Sequence, residues 1–289
     1  MLVIFGVALI TMSVIGVYAL LGGQFAILIH SVPLEGAVIL GMGIGSYIIA
    51  NRNSNILMRS VRSMVKLFAK RKYNKESYIE LLSLLYTAFK LAKTKGMLAL
   101  EQHIENPGES TLFQRFPRFT ADSASLIFMC DYLRLLTLGT DNPHEVENLM
   151  DEEIETEMTD SLQVPNAIQT LADGLPALGI VAAVLGIIRT MGYLDQPASV
   201  FGEMIGGALV GTLLGVLLSY GFVGPIASAL RSDAEAEIKY LQCIKAGILA
   251  HMQGYAPAVS VEFARKALSA DVRPTFYEVE QTVTSLPPV

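Results

Sequence analysis

The sequence predicts an all-α integral membrane protein with four transmembrane helices in two hairpins and a large helical cytoplasmic domain. Composition is the first observation: apolar residues make up 52% of the 289 residues. Charged residues contribute only 17%, against about 25% in typical globular chains. The second and third observations are four stretches without any charged residue and a one-sided distribution of basic residues around them.

The uncharged stretches define the predicted spans, because a membrane-crossing helix needs about 20 apolar residues. We assign the first helix and the start of the periplasmic loop to 1–29, and the second helix to 34–51. The third helix is predicted at 174–193 and the fourth at 203–230. The first stretch lacks the basic start and the cleavage site of a signal peptide, so we expect it to be retained.

Basic residues beside the helix ends set the predicted orientation, because they favour the cytoplasmic side. The connectors 22–34 and 194–203 contain no lysine or arginine. The residues that follow helix 2 are strongly basic: Arg52, Arg59, Arg62, Lys66, Lys70, Arg71, Lys72 and Lys75. We therefore place both termini, the helical segment 52–173 and the C-terminal helices and tail 231–289 in the cytoplasm.

Catalytic and metal-binding motifs are absent from the sequence. The four histidines are scattered, and Cys130 and Cys243 have no second thiol nearby. There is no Gly-x-Ser-x-Gly turn and no phosphate-binding glycine loop. The sequence therefore predicts a protein that is not an enzyme and holds neither a cofactor nor a metal. We expect the protein to contact membrane lipid and not to bind nucleic acid.

Small residues recur every four positions in helix 4, at Gly207, Gly211, Gly215 and Ser219. Such a stripe lets backbones approach closely, so we expect helix 4 to pack tightly against helix 3 or against other copies. Thr212 lies off this stripe. A threonine in that position commonly donates a hydrogen bond to the carbonyl four residues earlier.

No ionisable residue lies at the centre of a predicted span, since Glu35, Arg189 and Glu203 are placed near the outer ends. A proton or cation carrier normally needs an ionisable group at depth. If this protein conducts ions, the carboxylate must come from another chain. The protein would then form a shell around a partner helix.

Motifs spread in order over nearly the whole chain carry a resemblance to a known family. They are GMLALEQHIENP (96–107), CDYLRL (130–135), MDEEIE (150–155), LPALGIVAA (175–183), VGTLLG (210–215), YGF (220–222) with Pro225, and GYAPAVSVEF (254–263). In these motifs the chain resembles the flagellar stator subunits, the MotA branch of the MotA/TolQ/ExbB proton-channel family.

The resemblance implies partners that the chain alone does not reveal. Five copies would surround a dimer of MotB, whose single transmembrane helix supplies the proton-accepting aspartate. Proton passage would turn the ring, and its cytoplasmic domains would push on the rotor protein FliG. The implied location is the bacterial inner membrane, with several passes through it.

The resemblance also implies roles for particular residues of the spans. Pro176 and Pro225 match two prolines that are tied to coupling, and Thr212 matches a pore-facing threonine. Ala183 stands where sodium-driven relatives tend to carry a threonine. A methyl group offers no oxygen to a dehydrated cation, so protons are the expected fuel.

A rotor contact is implied in the cytoplasmic segment. Glu101 matches the acidic rotor residue of the family, which has an arginine eight positions earlier. This chain has Lys93 there, with Lys95 close by, so charge is kept and the bidentate fork of arginine is lost. The alternative interpretation of these residues is an ordinary solvated helical face.

Two other functions compete with the stator interpretation. A TolQ- or ExbB-type subunit would energise outer-membrane processes, but the long middle segment and the two hairpins argue against it. A solute transporter would need a polar midplane site or broken helices, and the spans offer only scattered hydroxyl groups such as those of Thr212 and Ser219.

Overall fold

The computed structural model describes residues 2–67 and 71–286, and all its regular structure in these residues is helical. Lys70 of the basic cluster and residues 287–289 of the predicted tail lie outside the described residues. The chain divides into two compact units. The first is formed by residues 1–70 and 161–232, and the second by residues 71–160 and 233–289.

The first unit contains the apolar helices. Its elements are α1 (Leu2–Leu20), α2 (Phe25–Ala50), α3 (Ser54–Lys66), the C-terminal part of α8 (Pro143–Met191), α9 (Ala198–Val216), a π-helix (Leu217–Val223) and the start of α10 (Gly224–Met252). Among the described residues, four helical stretches are long and apolar enough to cross a membrane. The predicted fold class is thereby confirmed.

Helix α2 begins earlier than the sequence pattern predicts. We expected a connector over 22–34, but α2 starts at Phe25 and runs through Pro33. Most side chains in this stretch are apolar, and backbone polar groups in such surroundings are best satisfied within a helix. Satisfying these backbone groups within a helix outweighs the loss of one hydrogen bond at Pro33. As a consequence, Glu35 lies within the helix and not at its outer end.

Helix α8 is also longer than predicted. It continues without a break from Pro143 to Met191 and contains both Pro165 and Pro176. Each proline removes one backbone hydrogen bond, yet neither ends the helix. The helix predicted at 174–193 is therefore the last part of a much longer one.

The second unit is built around α4 (Lys75–Lys95), and it also contains α5 (Met97–Glu105), a 3₁₀ turn (Phe113–Arg115), α6 (Pro117–Thr120), α7 (Ser123–Thr137), α11 (Pro257–Lys266) and α12 (Phe276–Ser285). Asn74 and Ser77 form a reciprocal cap at the start of α4. The helix ends at Gly96, whose φ of +86° favours glycine.

The core of this unit forms around α4, whose large side chains are fully buried. They include Tyr78, Leu81, Leu82, Leu84, Leu85 and Phe89. Side chains of α5, α7, α11 and the parts of α8 and α10 that belong to this unit join the same cluster. Gly96 alone separates α4 from α5, so the exposed end of α4 adjoins the start of α5.

Candidate functional site

Helices α8 and α9 approach each other at backbone distance. A Cβ placed on Gly215 would lie 2.7 Å from the carbonyl oxygen of Leu175 and 2.8 Å from Cα of Gly179. A Cβ placed on Gly179 would lie 2.8 Å from the carbonyl oxygen of Gly211. No side chain fits at these points. The close packing predicted from the small-residue stripe is confirmed, with helix 3 as the partner of helix 4 within the chain.

Thr212 stands next to this interface, one residue after Gly211, and is half-buried. Within the described residues its hydroxyl has no hydrogen-bond partner. Thr190 behaves differently, because its Oγ1 donates to the carbonyl oxygen of Gly186 at 2.8 Å. The bond to the carbonyl four residues earlier, expected of an ordinary helical threonine, is therefore missing at Thr212. Its hydroxyl is available to a group from outside the chain.

Ala183 lies buried in the α8–α9 interface. Its backbone nitrogen is 3.0 Å from the position that a Cβ on Gly211 would take. Ala183 therefore packs against the residue that directly precedes Thr212. The two positions that the sequence singled out on different helices thus adjoin the same turn of α9.

The two prolines have different surroundings. Pro176 is half-buried inside α8, next to Leu175, whose carbonyl oxygen faces Gly215. Pro225 is exposed at the start of α10, directly after the π-helix. There the backbone N–H of Gly224 donates to the carbonyl oxygen of Ser219. The wider π turn moves the chain away from the carbonyl that a proline ring would strike in an α-helix.

Sequence reasoning missed the position of Glu35. Its Oε2 lies 3.0 Å from the Cβ position of Gly211, and its Oε1 lies 3.3 Å from that of Gly186. The carboxylate therefore points from α2 into the glycine-lined meeting of α8 and α9. Glu35 is about 15 Å along the helix from its start at Phe25. The sequence contained a signal for this position, because Glu35 is a charged residue in an otherwise apolar stretch. Burying a charge in a membrane-spanning helix costs free energy, so such a residue usually has a function.

The charged residues of the predicted rotor contact lie at one surface of the second unit. Lys93 and Lys95 are exposed at the end of α4, and Glu101 is exposed on α5. Leu98 is 78% exposed between them. In the described part of the chain, Lys93 and Glu101 form no ion pair. We name Lys93, Lys95, Leu98 and Glu101 the α4–α5 surface.

A histidine lies beneath this surface. The ring of His251 stacks on Phe89 with centroids 4.4 Å apart. Its Nδ1 is buried and has no partner among the described residues. Burial, assisted by the positive charge of Lys93, lowers the pKa of His251 below its usual value. The neutral imidazole is therefore the form that this packing favours.

Two family models match the sequence. The model described as Motility protein A N-terminal matches residues 4–96. The model of the MotA/TolQ/ExbB proton channel family matches residues 121–243. Together they cover both hairpins and much of the segment between them.

Whole-chain relatives agree with these models. Motility protein A of Escherichia coli strain K12 is 42% identical over 99% of this chain and 96% of its own length. Motility protein A of Salmonella typhimurium is 41% identical over the same shares. The fold is similar to C. jejuni MotAB, with a TM-score of 0.75, 20% identity and coverage of 93% of this chain and 96% of that one. It is also similar to the flagellar MotAB stator complex from Bacillus subtilis, with a TM-score of 0.71, 24% identity and coverage of 90% and 92%.

Proposed function

This chain belongs to the motility protein A family, the flagellar-stator branch of the MotA/TolQ/ExbB proton channels, and we propose that it couples proton flow along a MotB helix to torque on the rotor protein FliG. The observation that carries the proposal is the unbonded hydroxyl of Thr212 beside the glycine-packed pair of α8 and α9. The hydroxyl of Thr212 is thus a donor that meets no acceptor among the described residues.

The acceptor is the aspartate of the MotB-type partner. A carboxylate in apolar surroundings costs several kcal/mol to ionise unless a hydrogen-bond donor or water meets it. The Thr212 hydroxyl can donate to the ionised carboxylate and so lower that cost after the proton leaves. Glu35 adds a second carboxylate on the same chain, closer to the start of α2 and against the same glycines.

Ala183 sets the choice of ion in this account. Sodium must shed water before it enters a narrow path, and it needs oxygen ligands in exchange. Ala183 contributes only a methyl group and a backbone that already packs against Gly211. A proton needs no such coordination shell. Protons are therefore the ion that this wall fits.

Pro176 and Pro225 are the proposed points at which the helices respond to the proton. Pro176 leaves the carbonyl of Ala172, four residues earlier, without its helical hydrogen bond. Leu175, which directly precedes Pro176, is the residue whose carbonyl oxygen contacts Gly215. Pro225 follows the π-helix, an element that is frequent at functional sites. Both sites lie in helices that continue into the segments proposed as cytoplasmic, 52–173 and 231–289.

The α4–α5 surface is the proposed contact with FliG. Lys93 and Glu101 are not engaged with each other, so both charges are open to a partner of complementary charge. Such charges steer association and fix register more than they add affinity. Lys95 lies close enough to share the role of Lys93, which replaces the family arginine.

Assembly and orientation complete the proposal. Five copies form a ring around two MotB helices in the bacterial inner membrane. Both termini face the cytoplasm, since basic residues follow α2 while the short connectors carry none. The limits 1–29, 174–193 and 203–230 remain our assignment of the other spans, whereas the second span is moved from 34–51 to a range within α2 that has Glu35 inside it.

Complementation tests this function. The chain is expressed with MotB in a bacterium that lacks its own stator, and rotation of tethered cells is recorded. We expect rotation with both proteins and none with either alone. Normal membrane levels of both proteins without any rotation would contradict the proposal. Rescue of a TolQ- or ExbB-deficient strain, with no rotation, would favour the other branch of the family.

A further inference from the structure

Helix α3 is fixed at the end of α2. Only residues 51–53 separate the two helices. The side chain of Asn51 donates to the carbonyl oxygen of Tyr47 at 2.9 Å, and the hydroxyls of Tyr47 and Ser60 are 2.6 Å apart. Asn53 caps α3 by accepting from the backbone N–H of Asn55. Helix α3 therefore lies where an apolar, membrane-length helix ends.

One face of α3 is already occupied by the first unit. Ile56, Met64 and Leu67 pack on the cluster formed by Val164, Ile168, Ala227 and Leu230. Ser60 is buried on the same side. These contacts set the rotation of α3 about its axis, and so determine which residues point outwards.

A second face is apolar and uncovered. Met58, Val61 and Val65 are 67%, 63% and 68% exposed. Their spacing of three and four residues places them on one line along the helix. Three side chains are far fewer than the roughly 20–30 residues a side of a stable protein interface.

The third face, about a quarter turn from the apolar one, is basic. Arg59, Arg62 and Lys66 are exposed there. The sequence contains no acidic residue between Glu35 and Glu76, so this stretch of chain carries positive charge only. An apolar line flanked by arginine and lysine is typical of a helix that lies in a membrane interface.

We propose that α3 binds anionic phospholipid headgroups, with Met58, Val61 and Val65 in the acyl boundary and with Arg62 and Lys66 on the phosphates. The occupant is lipid because α3 follows a spanning helix within three residues. In addition, the exposed apolar face of α3 is narrow and borders a basic face. The proposal rests on the cytoplasmic placement of this end of α2, where the leaflet is anionic. Lipid binding would hold α3, and through the Tyr47–Ser60 bond the end of α2, in a fixed position.

Lipid selectivity provides the direct test. The full chain is purified with its MotB partner and reconstituted into phosphatidylcholine vesicles that contain phosphatidylglycerol. Electron paramagnetic resonance then compares the immobilised fraction of spin-labelled phosphatidylglycerol with that of spin-labelled phosphatidylcholine. The wild type should prefer phosphatidylglycerol, and the preference should weaken with added salt. Removing charge with Arg62→Gln and Lys66→Gln should reduce the preference about fivefold for each residue.

The matched control keeps the charge and changes the side chains, as Arg62→Lys with Lys66→Arg. It should retain the preference. Lys90→Gln removes an exposed charge from α4 and should also retain it. Equal selectivity of the wild type and the double glutamine variant would overturn the proposal.

A second measurement identifies what covers the apolar face. A fluorophore is attached at Val61→Cys, since the native Cys130 and Cys243 are buried. Quenching by lipids spin-labelled in the acyl chain is expected. Efficient disulfide cross-linking of Val61→Cys between copies, with no lipid quenching, would assign the face to a second copy and overturn the proposal.

The outcome is separable from that of the proposed function. Proton uptake is recorded in the same vesicles. Lipid selectivity and quenching without any proton uptake by the wild type would count against the channel and in favour of this inference.

Discussion

Replacing Gly215 by alanine tests the close contact between α8 and α9. The new Cβ would lie 2.7 Å from a carbonyl oxygen of Leu175 and 2.8 Å from Cα of Gly179, whereas carbon atoms rest comfortably at about 3.5–4.0 Å. Both neighbours are backbone atoms and cannot rotate away, so the helices must separate. Overpacking of this kind costs about 1–3 kcal/mol.

Gly41→Ala is the matched control, because a Cβ there meets nothing within 4 Å. Both substitutions bring the same gain in helix propensity, about 1 kcal/mol, so their difference isolates the overlap. We expect Gly215→Ala to be less stable than Gly41→Ala by about 1–3 kcal/mol. Adding Gly179→Ala to Gly215→Ala should cost less than the sum of the two, since one separation of the helices relieves both overlaps.

The assay is reversible unfolding of the purified chain by increasing concentrations of dodecyl sulfate, monitored by circular dichroism. The level of each variant in the membrane and swimming in soft agar are measured in parallel. Equal stability of Gly215→Ala and Gly41→Ala would refute the reasoning. Strict additivity of the double variant would show that the two glycines do not share one contact.

Three further predictions concern the ion, the rotor and pH. Because Ala183 offers no oxygen ligand, swimming speed should follow the proton motive force, and loss of motility on replacing sodium by potassium at constant pH would contradict this. Lys93→Glu or Glu101→Lys should weaken torque, and a complementary charge reversal in FliG should restore part of it in tethered cells. If no charge reversal in FliG restored torque while the variants were present in the membrane at normal levels, Lys93 and Glu101 would be ordinary residues of a solvated helical face. The lowered pKa of His251 favours the neutral ring, so stability should be complete above the ordinary value of about 6.5 and fall as pH drops through it. Thermal unfolding of His251→Gln should lose part of this dependence, and identical pH profiles would contradict the role of His251.

The sequence predicted the features that depend on composition and spacing. Four helical stretches long and apolar enough to span a membrane, the glycine stripe and the all-helical fold follow from local rules, and the structure confirms them in the residues that it describes. The full-length match to motility proteins A favours the stator branch over the TolQ/ExbB alternative.

Features that depend on tertiary contacts were missed. Glu35 was placed near a helix end because the second span was predicted to start at residue 34, but the helix starts at Phe25. The π-helix before Pro225 is a local adjustment of backbone hydrogen bonds, and residue pattern alone does not distinguish it from a kink. The free hydroxyl of Thr212 was likewise hidden, since spacing favoured an ordinary bond to its own helix.

Proton uptake into vesicles tests the central claim most directly. The chain is reconstituted alone, with a MotB whose channel is open, and with that MotB after Thr212→Val, which keeps the shape of the side chain and removes the hydroxyl. The account predicts no uptake by the chain alone, rapid uptake with MotB, and reduced uptake by the assembled Thr212→Val variant. Uptake by the chain alone would contradict the need for a partner carboxylate, and full uptake through Thr212→Val would contradict the role of the threonine.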